Sequence, residues 1–184
     1  MRIIGGKFKG RKLLPPEGDD IRPTSDRTRE SVFNVLMHGS FGGTHVVGQH
    51  VADLCCGTGA LGLEALSRGA RAVTFVDKDK RAIALAKQNA MNLLALQDCF
   101  FLNEDVAALP KAREPVSLVL MDAPYSDALL APAYESLRAG GWLQHGALII
   151  AELPKKVEAP ELPKAAKLDS RQYGRAAIHI YRCI

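Results

Sequence analysis

Short apolar runs alternate along this chain with longer segments whose apolar residues recur at the three- and four-residue spacing of a helix. The runs predict buried strands at residues 51–56, 72–77, 99–102, 116–121 and 147–151. The segments between them predict helices near residues 61–68, 80–96 and 129–138. Because alternating strands and helices build parallel sheets, we predict an α/β fold with a doubly wound, mostly parallel sheet.

The two ends of the chain depart from this alternation. Residues 167–171 and 176–182 predict two strands that close the sheet in an antiparallel hairpin. At the other end, short apolar patches separated by glycines predict a small hairpin or irregular arm over residues 1–20. A helix from about residue 25 to 38 follows, with Thr24 as its N-cap. Since 184 residues are too few for two domains of ordinary size, we expect one further domain over residues 21–184.

A glycine-rich turn follows the first predicted strand and contains Gly57, Gly59 and Gly62. Glycines let the backbone turn sharply and approach a ligand, and the helix that follows directs free N–H groups toward it. Dinucleotide sites share this spacing, so the glycines alone leave the cofactor open. Asp53 favours S-adenosylmethionine over NAD, because a carboxylate suits an ammonium group better than a pyrophosphate.

Acidic residues follow the predicted strands at the edge where ligands of such sheets bind. Asp77, after the second strand, is placed to accept hydrogen bonds from the two ribose hydroxyls of an adenosine. Asp105 or Glu104, after the third strand, is a candidate for contact with the adenine amino group, although either residue could instead begin a short helix. Cys55 and Lys78 complete the predicted cofactor-binding set.

The net charge of +4 lies in the N-terminal segment, because residues 1–29 hold eight lysine or arginine residues and four acidic ones. A lysine-rich edge hairpin and a phosphate-binding arm both explain this excess, and charge does not decide between them. Arg22, Arg27 and Arg29 flank a helix N-terminus, where the dipole disfavours cations, so contact with phosphate or carboxylate groups is expected. The candidate RNA-binding residues are Arg2, Lys7, Lys9, Arg11, Lys12, Arg22 and Arg27.

Cysteine spacing and hydropathy exclude several classes of protein. The four cysteines show no C-x-x-C spacing, so we expect no metal site, no disulfide framework and a reducing compartment. No apolar run approaches the roughly 20 residues of a membrane helix, and the N-terminus lacks a signal-peptide pattern. We therefore expect a cytoplasmic monomer with neither a metal nor a membrane partner.

The tetrapeptide Asp122, Ala123, Pro124 and Tyr125 follows the fourth strand and resembles the Asp/Asn-Pro-Pro-Tyr/Phe motif of amino-directed methyltransferases. The exocyclic amine of a nucleobase is a poor nucleophile because its lone pair is delocalised into the ring. Hydrogen bonds to the Asp122 carboxylate and to the carbonyls of Ala123 or Pro124 would favour the pyramidal nitrogen that attacks. Tyr125 can stack on a flipped-out base. Taken alone, such a tetrapeptide is more often a turn that ends a strand.

Three longer segments, at residues 1–11, 22–36 and 57–69, resemble the RsmD family of ribosomal RNA methyltransferases. The resemblance implies a Rossmann-like class I fold, S-adenosylmethionine as cofactor, and methylation of the 2-amino group of a guanine in 16S ribosomal RNA. It also implies small-subunit ribosomal proteins as partners in an assembled particle. By position, it implies that Asp53, Gly57, Gly59 and Asp77 hold the cofactor and that residues 122–125 hold the base.

Two departures from the family pattern affect the predicted site. Cys55-Cys56 stands where the pattern has Phe-Ala, and Ala123 replaces the first proline of the tetrapeptide, which adds an N–H group and loosens φ. Three alternatives stay open: an adenine-directed DNA or RNA amino-methyltransferase, an NAD-dependent oxidoreductase, and an RNA-binding module without turnover. The preference for guanine rests on the resemblance alone.

Overall fold

The computed structural model describes residues 1–16, 26–39, 45–122 and 129–184. Within these ranges the helices are α1 (Asp26–His38), α2 (Ala60–Ser67), α3 (Lys80–Asn92) and α4 (Leu130–Ala139). The strands are β1 (His50–Leu54), β2 (Ala72–Val76), β3 (Cys99–Leu102), β4 (Val116–Asp122), β5 (Leu143–Pro154), β6 (Ala165–Tyr173) and β7 (Ala176–Cys183). Three short 3-10 helices occupy Gly6–Phe8, Leu96–Asp98 and Val106–Ala108.

The strands form a single sheet in the order β3-β2-β1-β4-β5-β7-β6. Strands β1 to β5 pair in parallel, whereas β7 is antiparallel to both β5 and β6. This topology confirms the predicted mostly parallel sheet with its final antiparallel hairpin. Strand order reverses between β1 and β4, and ligands of open α/β sheets bind at the carboxyl ends of the strands beside such a reversal. The predicted site residues at the ends of β1, β2 and β4 therefore share one edge of the sheet.

Several elements differ in length from the sequence-based prediction, among them β6, which spans Ala165–Tyr173 rather than 167–171. Two of them show the cause. Helix α3 ends at Asn92 rather than near residue 96, because Leu94 takes a left-handed φ of 57° that no helix can continue. Strand β5 runs from Leu143 to Pro154, beyond the predicted 147–151, because β7 pairs with it as far as the Pro154–Ala176 register position. Both boundaries depend on contacts outside the local apolar pattern.

The sheet is covered on both faces, and residues of one strand alternate between two buried clusters. In β1, Val51 lies in the cluster that contains α1, α2 and α3 side chains, whereas Ala52 and Leu54 lie in the cluster that contains α4 side chains. This alternation explains why every residue of β1 and β2 is buried. No helix in the described ranges is both long enough and apolar enough to cross a membrane.

The N-terminal segment forms a small hairpin, as predicted. This hairpin packs on the side of the sheet that α1, α2 and α3 cover. An antiparallel bridge joins Arg2 to Lys12, and the Ile3 N–H donates to the Arg11 carbonyl at 2.9 Å. Ile3 and Leu13 are 1% and 4% exposed and belong to the same apolar cluster as α1, α2 and α3. The hairpin therefore contributes to the core as well as carrying charge.

Candidate cofactor and substrate site

The glycine turn between β1 and α2 is open on its outer side and tightly packed on its inner side. Gly57 and Gly59 have φ of 51° and 76°, which side-chain-bearing residues rarely adopt. A Cβ at Gly57 would meet nothing within 4 Å, whereas one at Gly62 would overlap Phe75 and lie 2.8 Å from a methyl of Val73. The first glycine thus leaves room for a ligand, and the third permits close packing of α2 on the sheet.

Asp53 lies beneath this turn, at the carboxyl end of β1. It is 1% exposed, and its Oδ2 accepts a hydrogen bond of 2.8 Å from the Gly62 N–H in the first turn of α2. Burial raises the pKa of Asp53 well above its usual range, against the lowering effect of the Gly62 hydrogen bond; the charges of Asp122 and Asp77 raise it further. In this structure the Asp53 side chain stabilises the start of α2 through this hydrogen bond, and its contact with a cofactor ammonium stays a prediction.

Asp77 follows β2 and is bonded to the glycine turn across 20 residues of sequence. Its Oδ2 accepts from the Gly57 N–H at 3.0 Å, and its Oδ1 accepts from the Asp79 N–H at 2.9 Å. The Asn103 side chain donates to the carbonyls of Asp77 and Lys78, both at 2.9 Å. The half-buried carboxylate is thereby held beside the open face of Gly57, where contact with a ribose stays a prediction.

The remaining predicted cofactor residues lie around this centre. Asp105 is exposed and caps the 3-10 helix Val106–Ala108, since its Oδ1 accepts from the Ala107 N–H at 2.9 Å. The helix-starting alternative therefore applies to Asp105, and its contact with adenine stays a prediction. Burial, followed by the charge of Asp77, raises the pKa of Cys55 to about 12, so this side chain is a neutral thiol at physiological pH. Lys78 is exposed.

Asp122 ends β4 in register with Glu152 on β5. Burial and the charge of Asp122 raise the pKa of Glu152 to about 8, so two acidic side chains meet at this point of the edge. Sequence reasoning missed Glu152, although an acidic residue closing the apolar run 147–151 is a usable signal. The other members of the predicted catalytic tetrapeptide, Ala123, Pro124 and Tyr125, lie outside the described residues.

In the described ranges, no group of three or more His, Cys, Asp or Glu side chains is arranged to hold a metal ion.

Glu64, which sequence reasoning also missed, joins the N-terminal hairpin to α2. Its carboxylate is fully buried and accepts from the N–H groups of Ile4 and Gly5, each at 2.8 Å. Arg68 donates to it at 2.7 Å, and the Nε of the fully buried Arg29 lies 3.8 Å away. The only sequence signal for this role is an acidic residue within the otherwise apolar stripe of a helix.

The predicted RNA-binding cations that the structure describes are all exposed, whereas one arginine outside that set is buried. Arg29, one of the arginines that flank the start of α1, is fully buried; it contacts the Asp26 carboxylate at 2.8 Å and the Arg2 carbonyl at 2.5 Å. Of the two partners expected for these arginines, phosphate or carboxylate, Arg29 therefore contacts a carboxylate. Arg22 lies outside the described residues. The exposed cations are Arg2, Lys7, Lys9, Arg11, Lys12 and Arg27.

Comparisons with known proteins agree on one family. The family model described as conserved hypothetical protein 95 matches residues 1–182. Ribosomal RNA small subunit methyltransferase D of Escherichia coli K12 is 34% identical over 186 residues, covering 99% of this chain and 89% of that protein. YlbH of Bacillus subtilis is 32% identical over 187 residues, covering 99% and 98%. The solved structure of Escherichia coli yhhF superposes with a TM-score of 0.83 at 32% identity, covering 100% of this chain and 97% of that one.

Proposed function

On the premise that this chain belongs to the RsmD family, we propose that it methylates the exocyclic 2-amino group of a guanine in small-subunit ribosomal RNA with S-adenosylmethionine as donor. The chain is a ribosomal RNA methyltransferase; the observation that carries this is a match to small subunit methyltransferase D over 99% of its length. The same match favours a methyltransferase over an NAD-dependent oxidoreductase on the shared glycine spacing. The choice of guanine rests on family membership.

The described residues fit a nucleoside cofactor at the carboxyl edge of β1 and β2. A Cβ added at Gly57 would meet no atom within 4 Å, so there is free space beside this residue. The Asp77 carboxylate lies next to that space, because its Oδ2 accepts a hydrogen bond from the Gly57 N–H. We propose that Asp77 binds the ribose hydroxyls and that Gly57, Gly59 and the neighbouring Cys55, Lys78 and Asp105 surround the rest of the ligand. S-adenosylmethionine supplies a methyl group activated by a positive sulfonium. The carboxylates of Asp77 and Asp122, whose charges raise the pKa of Asp53, give this edge a negative potential that suits such a cation.

Asp122 is the residue we assign to the target amine. It is half-buried at the end of β4, next to the strand that leads into the glycine turn. A carboxylate there accepts hydrogen bonds from the amine, localises its lone pair for attack and stabilises the positive charge that develops on nitrogen. We further propose that the carbonyls of Ala123 and Pro124 accept the second N–H and that Tyr125 stacks on the base.

The exposed cations of the hairpin and the start of α1 suit a phosphate-rich partner. We propose that they bind ribosomal RNA within an assembled small subunit, where small-subunit ribosomal proteins form part of the contact surface. A substrate of this kind implies a cytoplasmic location and a protein that acts as a monomer on each particle. No step of this proposal needs a metal or a membrane.

A methyl-transfer assay tests the function directly. Small ribosomal subunits are incubated with labelled S-adenosylmethionine, and the labelled nucleoside is identified after digestion of the RNA. We expect N2-methylguanosine; labelled N6-methyladenosine would refute the guanine assignment, and absence of label would refute the activity. Asp122→Ala should lower the single-turnover rate far more than cofactor affinity, because the carboxylate acts on the transition state. Asp169→Ala, which removes a half-buried carboxylate on β6 bonded to Arg171, is the matched control.

A further inference from the structure

A single buried side chain on α3 connects the cationic hairpin to the glycine turn. Asn89 is 0% exposed, and its Nδ2 donates to the Thr58 carbonyl at 3.0 Å and to the Leu14 carbonyl at 3.3 Å. Its Oδ1 accepts from the Leu14 N–H at 2.7 Å. The amide thus pairs with both backbone groups of Leu14, as a neighbouring strand would, while holding the turn between Gly57 and Gly59.

Other contacts bring the hairpin close to the same turn. The Thr58 hydroxyl lies 3.8 Å from the sulfur of Met1, and Glu64, one turn into α2, holds Ile4 and Gly5. The hairpin is therefore fixed at both of its ends to elements that flank the glycine turn. Its backbone faces α2 and α3, whereas its cationic side chains, from Lys7 to Lys12, stay exposed.

A buried amide with all three of these bonds is poorly explained by packing alone. An apolar side chain would fill the space between Ala86 and Ala90 on the buried face of α3 without any need for partners. Asn89 instead satisfies backbone groups of two separate segments, residues 14 and 58, which lie 44 positions apart in sequence and are not hydrogen-bonded to each other within the described part of the chain. Its removal would release both segments at once.

We propose that Asn89 is a positioning residue, which holds the cationic hairpin and the glycine turn in a fixed spatial relation so that bound RNA and bound cofactor are aligned. This inference rests on the proposed function, since the alignment concerns the target base and the methyl donor. Asn89 contacts neither of them. It acts through Thr58 on the cofactor side and through Leu14 on the RNA side. Misplacement of reacting groups by about 1 Å costs on the order of 100-fold in rate, which is the effect that a loss of this link produces.

Two variants distinguish the alignment of the hairpin with the glycine turn from the folding stability of the protein. Asn89→Ala removes all three bonds, whereas Leu14→Pro removes only the N–H that donates to Asn89 and leaves the link to Thr58 in place. Leu14→Ala keeps that N–H and serves as the reference for loss of the exposed Leu14 side chain. Gln88→Ala, at an exposed neighbour on α3, is the surface control.

The measurement is the single-turnover rate at saturating S-adenosylmethionine and small ribosomal subunits, well below the melting temperature of each variant. We expect a loss on the order of 10- to 100-fold for Asn89→Ala and a smaller loss for Leu14→Pro relative to Leu14→Ala. Leu14→Pro should keep the cofactor affinity of the wild type in calorimetry. The salt dependence of subunit binding should be unchanged in both variants, because no charge is removed.

A purely structural role predicts lower melting temperatures with an unchanged rate per folded molecule, and that result in either variant would overturn the proposal. If Asn89→Ala fails to fold, Leu14→Pro alone decides. Inactive wild-type protein would instead indicate that the proposed function is wrong, so the two failures are distinguishable.

Discussion

A glycine substitution in the hairpin offers the sharpest test of how that hairpin is held. Gly6 and Gly10 have similar left-handed φ values, 75° and 83°. A Cβ at Gly6 would overlap the Ser67 carbonyl of α2, whereas a Cβ at Gly10 would meet nothing within 4 Å. Gly6→Ala and Gly10→Ala therefore impose the same kind of backbone strain, but only the first forces the hairpin away from α2.

The expected magnitudes follow from these contacts. The strain of a non-glycine residue at positive φ costs roughly 1–2 kcal/mol in each variant. Relief of the overlap at Gly6 must also disturb the Phe8 N–H bond to the Ser67 hydroxyl and the Gly5 N–H bond to Glu64. Each broken bond that leaves a partly buried group unpaired costs about 1–2 kcal/mol. We therefore expect a destabilisation of roughly 3–6 kcal/mol for Gly6→Ala and about 1–2 kcal/mol for Gly10→Ala.

Urea unfolding followed by circular dichroism measures both free energies, with the slope m as a check that each transition stays two-state. For a chain of this size, the difference of roughly 2–4 kcal/mol between the variants corresponds to roughly 4–16 °C in melting temperature. Neither substitution changes the charge, so electrostatic repulsion does not contribute. Equal destabilisation in the two variants would refute the close packing of the hairpin on α2.

Three further predictions concern the site and its surroundings. Asp77→Ala should weaken S-adenosylmethionine binding by about 1.5–3 kcal/mol in calorimetry, because hydrogen bonds to a charged group are lost; unchanged affinity would remove Asp77 from the site. Glu152 has a pKa of about 8 when folded, against 4.5 ordinarily, so the folded protein binds its proton more tightly and loses stability as pH rises through this window. In urea unfolding, the free energy of unfolding of Glu152→Gln relative to that of the wild type should therefore increase by roughly 2–4 kcal/mol from pH 5 to pH 8.5. Parallel pH curves for the two proteins would contradict this. Combined glutamine substitution of four exposed hairpin cations should lower the slope of log K for subunit binding against log salt by at most about 3.6 units. An equal slope would exclude these four as phosphate contacts; they are Lys7, Lys9, Arg11 and Lys12.

Deletion of the whole hairpin would be a less selective test of its cations. Deletion of residues 1–12 would remove the cations, but it would also remove Ile3 from the core and leave the Glu64 carboxylate without its two backbone donors. Loss of stability would then accompany loss of charge, so the edge-hairpin and RNA-arm explanations would no longer be separable. Substitution of the exposed side chains keeps these backbone contacts; among the described interactions it removes the Arg11 hydrogen bond to the Asn92 carbonyl and the contact of Lys7 with the Phe8 ring.

Local patterns in the sequence were enough to predict the sheet and the place of the site. Apolar runs and helical periodicity predicted the strands and helices because these signals depend on residues a few positions apart. The glycines at 57, 59 and 62 predicted a ligand-binding turn for the same reason, since backbone freedom is a property of each residue. The edge of the sheet then followed from topology rules that apply to all parallel sheets.

Only the tertiary structure decided which polar side chains hold these parts together. Glu64 and Asn89 look like ordinary helix residues in the sequence, yet they bond backbone groups 60 and 75 positions away. Local charge left phosphate and carboxylate as possible partners of Arg29, and folding decided between them by burying it against Asp26 and near Glu64. Sequence patterns cannot rank such partners, because the energy of a buried polar group depends on which distant groups the fold brings within hydrogen-bonding distance.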